Sequence, residues 1–216
     1  MMSMHEQGLK LIKAHLDVSR ETETRLVAYV ELLMKWQRKI NLVSNNTLSQ
    51  VWSRHILDSA QIFPLLPDEK AKIMDIGSGA GLPGMIIAIM RAGAFGESAE
   101  PVTMVESDQR KCAFLATAAR ECDVKVSIEN KRLETLPPHY PDVITARALA
   151  SVEKLLHWTE NQHHDGLKCV FLKGAKLDEE LTCLSEYSNI RSERMPSLTS
   201  DDGVVLTLEG FQNQSA

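Results

Sequence analysis

The residues best suited to chemistry lie together in one run, Asp75-Ile76-Gly77-Ser78-Gly79-Ala80-Gly81-Leu82-Pro83-Gly84. Glycines at Gly77, Gly79 and Gly81 leave the backbone bare, so a ligand can approach where a side chain would block it. Pro83 suits the first turn of a helix, whose free N–H groups would face the polar or anionic end of such a ligand. Downstream, Met104-Val105-Glu106-Ser107 ends in a carboxylate. A carboxylate at a strand end can accept hydrogen bonds from both hydroxyls of a ribose, which points to an adenosine-containing ligand; the alternative is an exposed surface charge. Arg147 could stack on or hydrogen-bond a guanine, hold a ligand carboxylate, or close a structural ion pair. Arg54 and Asp58 fall on one face of a helix. They either line the reaction pocket, with Arg54 or His55 toward the substrate, or form an intrahelical pair that locks the N-terminal region in place.

Two frames fit the glycines. Gly79, Gly81 and Gly84 match the dinucleotide spacing G-x-G-x-x-G. Gly77, Gly79 and Gly81 behind Asp75 match D-x-G-x-G-x-G. The second frame is better placed, because Gly77 directly follows the predicted strand. It is similar to the first motif of methyltransferases that use S-adenosyl-L-methionine (SAM). SAM has no pyrophosphate, so its loop must pass the methionine portion and the ribose. Methyl transfer from a sulfonium is an in-line displacement in which the protein supplies position and field. The chain has no Pro-Cys pair for attack at a pyrimidine carbon. It carries Thr145-Ala146-Arg147-Ala148 where an exocyclic-amine methylase would have an [N/D]-P-P-[Y/F] motif. A ring nitrogen with a free lone pair, such as guanine N7, needs neither device. His163-His164-Asp165 reads as a loop, since adjacent histidines rarely ligate one ion, and no metal is expected.

The elements that must position these residues follow from periodicity. Residues 7–16, 21–41 and 48–63 read as helices, the second with Leu26, Val30, Leu33, Trp36 and Ile40 at helical spacing and Ser19 as its cap. Strands are predicted at 72–76, 102–105, 124–128, 142–145 and 167–172. Helices are predicted at 83–91, 108–122 (capped by Asp108), 151–161 and 178–187. Residues 190–195 and 204–208 read as a closing hairpin. Strands alternating with helices of crossover length predict a mostly parallel seven-stranded sheet with helices on both faces. The expected organisation is a helical N-terminal region, 1–66, packed on an α/β domain, 67–216. In an open parallel sheet, ligands bind at the carboxyl ends of the strands. Gly77, Glu106, Arg147 and Lys173 all fall there.

Composition narrows the class. With 216 residues, 44% hydrophobic and 25% charged, the chain can bury a core without metal or disulfide staples. The four cysteines, Cys112, Cys122, Cys169 and Cys183, have neither zinc nor disulfide-framework spacing and read as free thiols. No membrane-length apolar run and no signal-peptide pattern is present, so a cytoplasmic protein without a membrane partner is expected; a monomer is expected as well, though nothing in the sequence fixes the oligomeric state. The formal net charge of −5 argues against bulk electrostatic coating of nucleic acid, so any RNA site must be a local patch. Candidates for it are Lys35, Arg38, Lys39, Arg54, Arg110, Lys111, Arg132 and Lys173.

Several motifs occur in one order: Trp36 with Asn41-Leu42-Val43-Ser44, Arg54-His55-Ile56-Leu57-Asp58-Ser59, and the loop from Asp75 to Gly84. Then come Arg110-Lys111 with Phe114-Leu115, Arg132-Leu133-Glu134, Ala146-Arg147-Ala148 and Leu172-Lys173-Gly174. Through them the chain resembles the RsmG (GidB) family of bacterial 16S rRNA guanine-N7 methyltransferases over most of its length. The resemblance implies a class I SAM-dependent methyltransferase of Rossmann-like fold acting on a guanine in the 530 loop of 16S rRNA, free or in the small ribosomal subunit, and releasing S-adenosyl-L-homocysteine. It also implies cofactor contacts from Gly77, Leu82, Leu133, Glu134 and Arg147, beside Ser78, Gly79, Gly81 and Glu106 of the sites above. Arg54, Arg147 and Lys173 remain the candidates for the transfer step. The competing readings are a methyltransferase for a small molecule, a non-catalytic nucleotide-binding module and an NAD oxidoreductase.

Overall fold

A computed structural model describes residues 2–187 and 189–212. Helix α1 (Met4–Lys13) opens with a capping box in which Ser3 and Glu6 each satisfy the other's backbone amide. Helix α2 (Arg20–Gln37) starts at Ser19, whose hydroxyl accepts from the Thr22 amide at 3.1 Å. It stops short of the expected residue 41 because the Gln37 side chain gathers the following turn. Its oxygen accepts from the Leu42 and Val43 amides at 2.9 and 3.0 Å, and its nitrogen donates to the Val43 carbonyl at 2.8 Å.

The helix expected over 48–63 is broken into pieces. A 3-10 segment (Asn45–Gln50) leads into a π-helical turn (Trp52–Leu57), the short α3 (Asp58–Ala60) and a second 3-10 turn (Phe63–Leu65). The wider π turn buries Trp52, His55, Ile56 and Leu57 together. It also removes the α-helical register that would set Arg54 beside Asp58.

Strands β1 (Ile73–Ile76), β2 (Val102–Val105), β3 (Val126–Glu129), β4 (Val143–Arg147) and β5 (Lys168–Lys173) are parallel to one another. Strand β7 (Val204–Glu209) runs antiparallel between β5 and the edge strand β6 (Arg191–Pro196). Among the described residues the order is β3-β2-β1-β4-β5-β7-β6, so the sheet has seven strands and the expected hairpin closes it. β1 is buried along its whole length, as a strand covered on both faces must be. The connecting helices are α4 (Gly84–Phe95), α5 (Gln109–Glu121), α6 (Val152–Trp158) and α7 (Leu177–Glu180). Asp108 caps α5 through the Arg110 and Lys111 amides. Pro83 is the cap residue of α4 rather than its first helical residue. Beyond α7 the expected helix tightens to a 3-10 segment, Leu181–Glu186, because the Thr182 and Ser185 hydroxyls bond carbonyls three residues back.

Two apolar layers sandwich the sheet. On one face Leu26, Tyr29, Val30 and Leu33 of α2 join Ile86, Ile89 and Phe114 of α4 and α5. On the other, Leu155 and Leu156 of α6 pack with Met74, Ile144 and Phe171 of the strands. A Cβ on Gly93, near the end of α4, would lie 1.9 Å from Thr22 Oγ1, whereas Tyr29 reaches Ala80 in the loop that precedes α4. Helix α2 therefore climbs toward the carboxyl rim of the sheet. Lys35 in its last turn, and Arg38 and Lys39 just after it, are exposed.

Candidate active site

Four of the five parallel strands, β1, β2, β4 and β5, lead at this rim into residues singled out by sequence: Gly77, Glu106, Arg147 and Lys173. β1 delivers the glycine loop, which turns back with positive φ at Gly77, Gly79 and Gly81. Two of the loop glycines are needed for different reasons. At Gly77, φ is +63° and a Cβ would meet the Leu149 side chain at 2.5 Å, so bareness keeps the cavity floor open. At Gly84 a Cβ would lie 2.6 Å from Asp75 Oδ2, so bareness lets helix α4 start directly against that carboxyl. Asp75 is fully buried and accepts from the Thr145 hydroxyl at 2.8 Å. Burial pushes its pKa up to about 6. The loop is clamped from outside by Tyr29, whose buried hydroxyl donates to the Ala80 carbonyl at 2.6 Å; burial raises its pKa.

Glu106 closes the neighbouring strand. One carboxylate oxygen accepts from the Gly79 amide and the other from the Asp108 amide, both at 2.8 Å. Asn130 at the end of β3 donates to the Glu106 and Ser107 carbonyls at 3.0 and 3.1 Å and fixes the turn. A carboxylate has about four acceptor positions, so each oxygen keeps capacity for a further donor.

A cavity of about 390 Å³ opens over these residues. Gly77, Glu106, Leu133, Glu134 and Arg147, all singled out in the sequence, line it together with Leu149 and Trp158. Lys111, Lys131 and Arg132 also contribute to its lining. Ser78 and Leu82 are instead buried in the loop's own packing, with Ser78 Oγ donating to the Asp75 carbonyl at 2.9 Å. Gly79 reaches the site through its amide on Glu106, and a Cβ on Gly81 would strike Met85. The volume lies within the roughly 300–1,000 Å³ of small-molecule sites. A buried carboxylate with spare acceptor capacity, beside a bare backbone turn and the apolar wall of Leu133, suits a nucleoside.

Arg147 ends β4 and is held on three sides. Its Nε donates to Asp58 Oδ2 at 2.7 Å, and Nη2 donates to the Arg54 carbonyl at 2.7 Å and to His55 Nδ1 at 3.1 Å. A guanidinium only donates, so His55 Nδ1 is the acceptor and its Nε2–H donates to Thr47 Oγ1 at 2.8 Å. Thr47 in turn donates to the Ser44 carbonyl. Burial lowers the His55 pKa to about 4, which keeps the ring neutral as this arrangement requires. The intrahelical Arg54–Asp58 pair is thus replaced by a long-range Asp58–Arg147 pair, with Arg54 contributing its carbonyl. Asp58 Oδ1 also accepts from Gln61 Nε2 at 3.0 Å and from Thr199 Oγ1 at 2.7 Å, tying the β6–β7 turn to the same point.

Lys173, at the end of β5, is not part of a phosphate-facing surface. Its side chain is 8% exposed, and Nζ bonds Glu180 Oε2 at 2.5 Å and the Ala150 carbonyl at 2.7 Å. Arg110 pairs with Asp108 at 3.2 Å. Lys35, Arg38, Lys39 and Arg132 are exposed. All four cysteines are free, and burial raises the pKa of each, so none is poised as a thiolate nucleophile. Among the described residues no cluster of three metal-ligating side chains occurs, and no helix is long and apolar enough to cross a membrane. Tyr29, Thr145 and Trp158 are the site residues whose roles motif reasoning misses, whereas His55, placed by its motif as a residue that could face the substrate, instead holds Arg147. Only Tyr29 carries a sequence signal, its place on the apolar face of α2.

Comparison with known proteins bears on this arrangement. Residues 22–204 match a family model described as GidB, rRNA small subunit methyltransferase G. A protein named ribosomal RNA small subunit methyltransferase G from Paramagnetospirillum magneticum is 47% identical, the match covering 88% of this chain and 90% of that one. A protein of the same name from Gluconobacter oxydans is 44% identical, over 90% and 97% of the two chains. Among solved structures, a TehB-like SAM-dependent methyltransferase from Corynebacterium glutamicum superposes with a TM-score of 0.56 at 16% identity, covering 85% of this chain and 98% of that one. A ribosomal protein L11 methylase from Lactobacillus delbrueckii gives 0.56 at 13% identity over 78% and 80%. At that identity these two speak for the fold alone.

Proposed function

Since the chain belongs to the rRNA small subunit methyltransferase G family, we propose that it methylates N7 of a guanine in the 530 loop of 16S rRNA. SAM, when bound, supplies an electrophilic methyl group on a sulfonium. Glu106 would accept from the ribose hydroxyls, Leu133 with the neighbouring Glu134 would flank the adenine, and the bare turn at Gly77 would pass the methionine portion. N7 carries no proton, so no general base is required, and the protein acts by holding the two partners in line.

The observation that carries this reading is a shared wall. Arg147, Ala148 and Leu149 line both the cofactor cavity and a second cavity of about 480 Å³. A splayed base and a cofactor can therefore approach each other across one short segment, as enzymes acting on a single base require. The exposed Lys35, Arg38 and Lys39, with Lys111 and Arg132 at the cofactor cavity, supply phosphate contacts, while RNA shape supplies selection. The helical region 1–66 and the α/β domain 67–216 work as one unit, joined by the contacts of Tyr29 and Asp58 with the loop and β4.

The deciding experiment offers small subunits and naked 16S rRNA, both lacking the modification, to the protein with methyl-labelled SAM. N7-methylguanine is then mapped by chemical cleavage. One new cleavage site in the 530 loop is expected. Labelled SAM that binds without modifying either RNA would overturn the proposal.

A further inference from the structure

Among the described side chains lining the second cavity, one carboxylate oxygen has no bonding partner. The cavity is lined by Asp58, Arg147, Leu149, Lys173, Glu180 and Ser197, among others. Asp58 has a partner on each oxygen, Arg147 on Oδ2 and Gln61 and Thr199 on Oδ1. Lys173 is committed to Glu180 and the Ala150 carbonyl. Glu180 receives both of its bonds on a single oxygen: Oε2 takes Lys173 Nζ at 2.5 Å and the Val152 amide at 2.9 Å. No described group bonds Oε1, although the side chain remains 21% exposed. A carboxylate anchored through one oxygen, with the other unbonded on a residue that lines a cavity, is a preorganised acceptor.

We propose that this cavity receives the target guanine and that Glu180 is its specificity-determining residue, accepting from N1–H and the exocyclic N2 amine. The inference rests on the guanine-N7 reading above. Guanine presents two adjacent donors on that edge. Adenine presents a bare N1 lone pair and no N2 amine, so the same carboxylate would repel it. The edge that donates to Glu180 is distinct from the edge that carries N7, so recognition leaves N7 free. Methylation at N7 leaves the ring cationic, which makes N1–H and the N2 amine stronger donors. The bonds to Glu180 thus tighten as the transition state forms, when an interaction accelerates the reaction most.

The test pairs a base change with a side-chain change. Small subunits are assembled with 16S rRNA carrying either guanine or inosine, which lacks the N2 amine, at the methylated position. The wild-type protein should lose about tenfold in kcat/KM on inosine, the value of one charge-assisted hydrogen bond. Glu180→Gln should lose about 30-fold on guanine but discriminate against inosine by less than about threefold, because the coupled partner is gone. Its SAM affinity by calorimetry should stay within about twofold, since Glu180 does not line the cofactor cavity. An inosine penalty equal in both proteins, or a variant as active on guanine as wild type, would refute the assignment. Glu180→Asp keeps the charge beside Lys173 but withdraws the carboxylate. It should keep the wild-type melting temperature and still lose inosine discrimination, and retained discrimination would equally refute it. If wild type binds SAM yet methylates no guanine, the functional reading itself fails and this inference with it. If wild type methylates guanine and the coupling is missing, only the role of Glu180 falls.

Discussion

Replacing Asp58 with alanine removes the anchor of the wall between the two cavities. The Arg147 Nε to Asp58 Oδ2 contact is 2.7 Å, and the two side chains are only 18% and 16% exposed. An exposed ion pair contributes about 0–1 kcal/mol, whereas deleting one partner of a buried pair costs about 3–5 kcal/mol. At this burial, and with Gln61 and Thr199 also losing their acceptor, Asp58→Ala should cost about 3 kcal/mol. For a chain of this size that is a fall in Tm of roughly 6–12 °C. Asp58→Asn keeps an acceptor without the charge and should cost about half as much. The informative quantity is the coupling in a cycle with Arg147→Met, measured by urea unfolding. It should be about 2 kcal/mol, because once the guanidinium is gone the carboxylate has less to lose. Additivity within about 0.5 kcal/mol would mean that the pair is not an energetic contact, and the clamp would be refuted. A second readout separates scaffold from site. SAM affinity of Asp58→Ala should change by less than about threefold, since Asp58 lines only the second cavity and Arg147 keeps its bonds to Arg54 and His55. Methyl transfer should fall far more.

Glu106→Ala should weaken SAM binding by about 1–3 kcal/mol in calorimetry; equal affinity would mean that Glu106 misses the ribose. Gly77→Asp puts a side chain and a negative charge into the cavity beside Glu106, so SAM binding should vanish while circular dichroism stays native; retained binding would displace the proposed cofactor site. The pH dependence has a definite sign. Burial lowers His55 and His163 to about 4, so between pH 6.5 and 4 the unfolded chain takes up protons that the folded chain refuses, and stability falls as pH drops through that window. Asp75, raised to about 6, works in the opposite direction between about pH 6 and 4, because there the folded chain holds the extra proton. Two histidines against one carboxyl leave a net slope of about 1.4 kcal/mol per pH unit from roughly pH 6 toward 4. Replacing His163 with phenylalanine should flatten this slope in urea titrations, and an unchanged slope would exclude His163 as a contributor.

What the amino-acid sequence makes legible is what depends on near neighbours. Ser19 and Asp108 cap the helices they precede because a cap acts over two or three residues. The alternation of strand and helix places Gly77, Glu106, Arg147 and Lys173 at one rim because chain direction in a parallel sheet leaves no other choice. Of the two readings of the Arg54–Asp58 face, the intrahelical pair fails for the same reason, while Asp58 does line the second cavity. The pair assumes an α-helical register that the π turn at Trp52–Leu57 cancels, and that turn is set by what it buries rather than by local propensity. Lys173 fails similarly: a lysine at a strand end is a solvated charge unless a carboxylate from a later helix reaches it, and Glu180 does. Leu133 and Glu134 are reachable only through family resemblance, since a short turn after β3 has no periodic signature.

The long-range contacts explain why the N-terminal helices belong to the site at all. Tyr29 holds the glycine loop across 51 residues, and Asp58 holds Arg147 across 89. Neither contact touches the bare cavity floor at Gly77, yet both fix the backbone on either side of it. The three roles that the sequence leaves open for Arg147 are then not exclusive. Its ion pair with Asp58 and its bonds to Arg54 and His55 occupy Nε and Nη2, and the residue lines both cavities. A residue anchored so firmly on one side cannot follow the substrate. It can only present a preset cationic surface to it, which is what a reaction governed by alignment, with no proton to remove, requires.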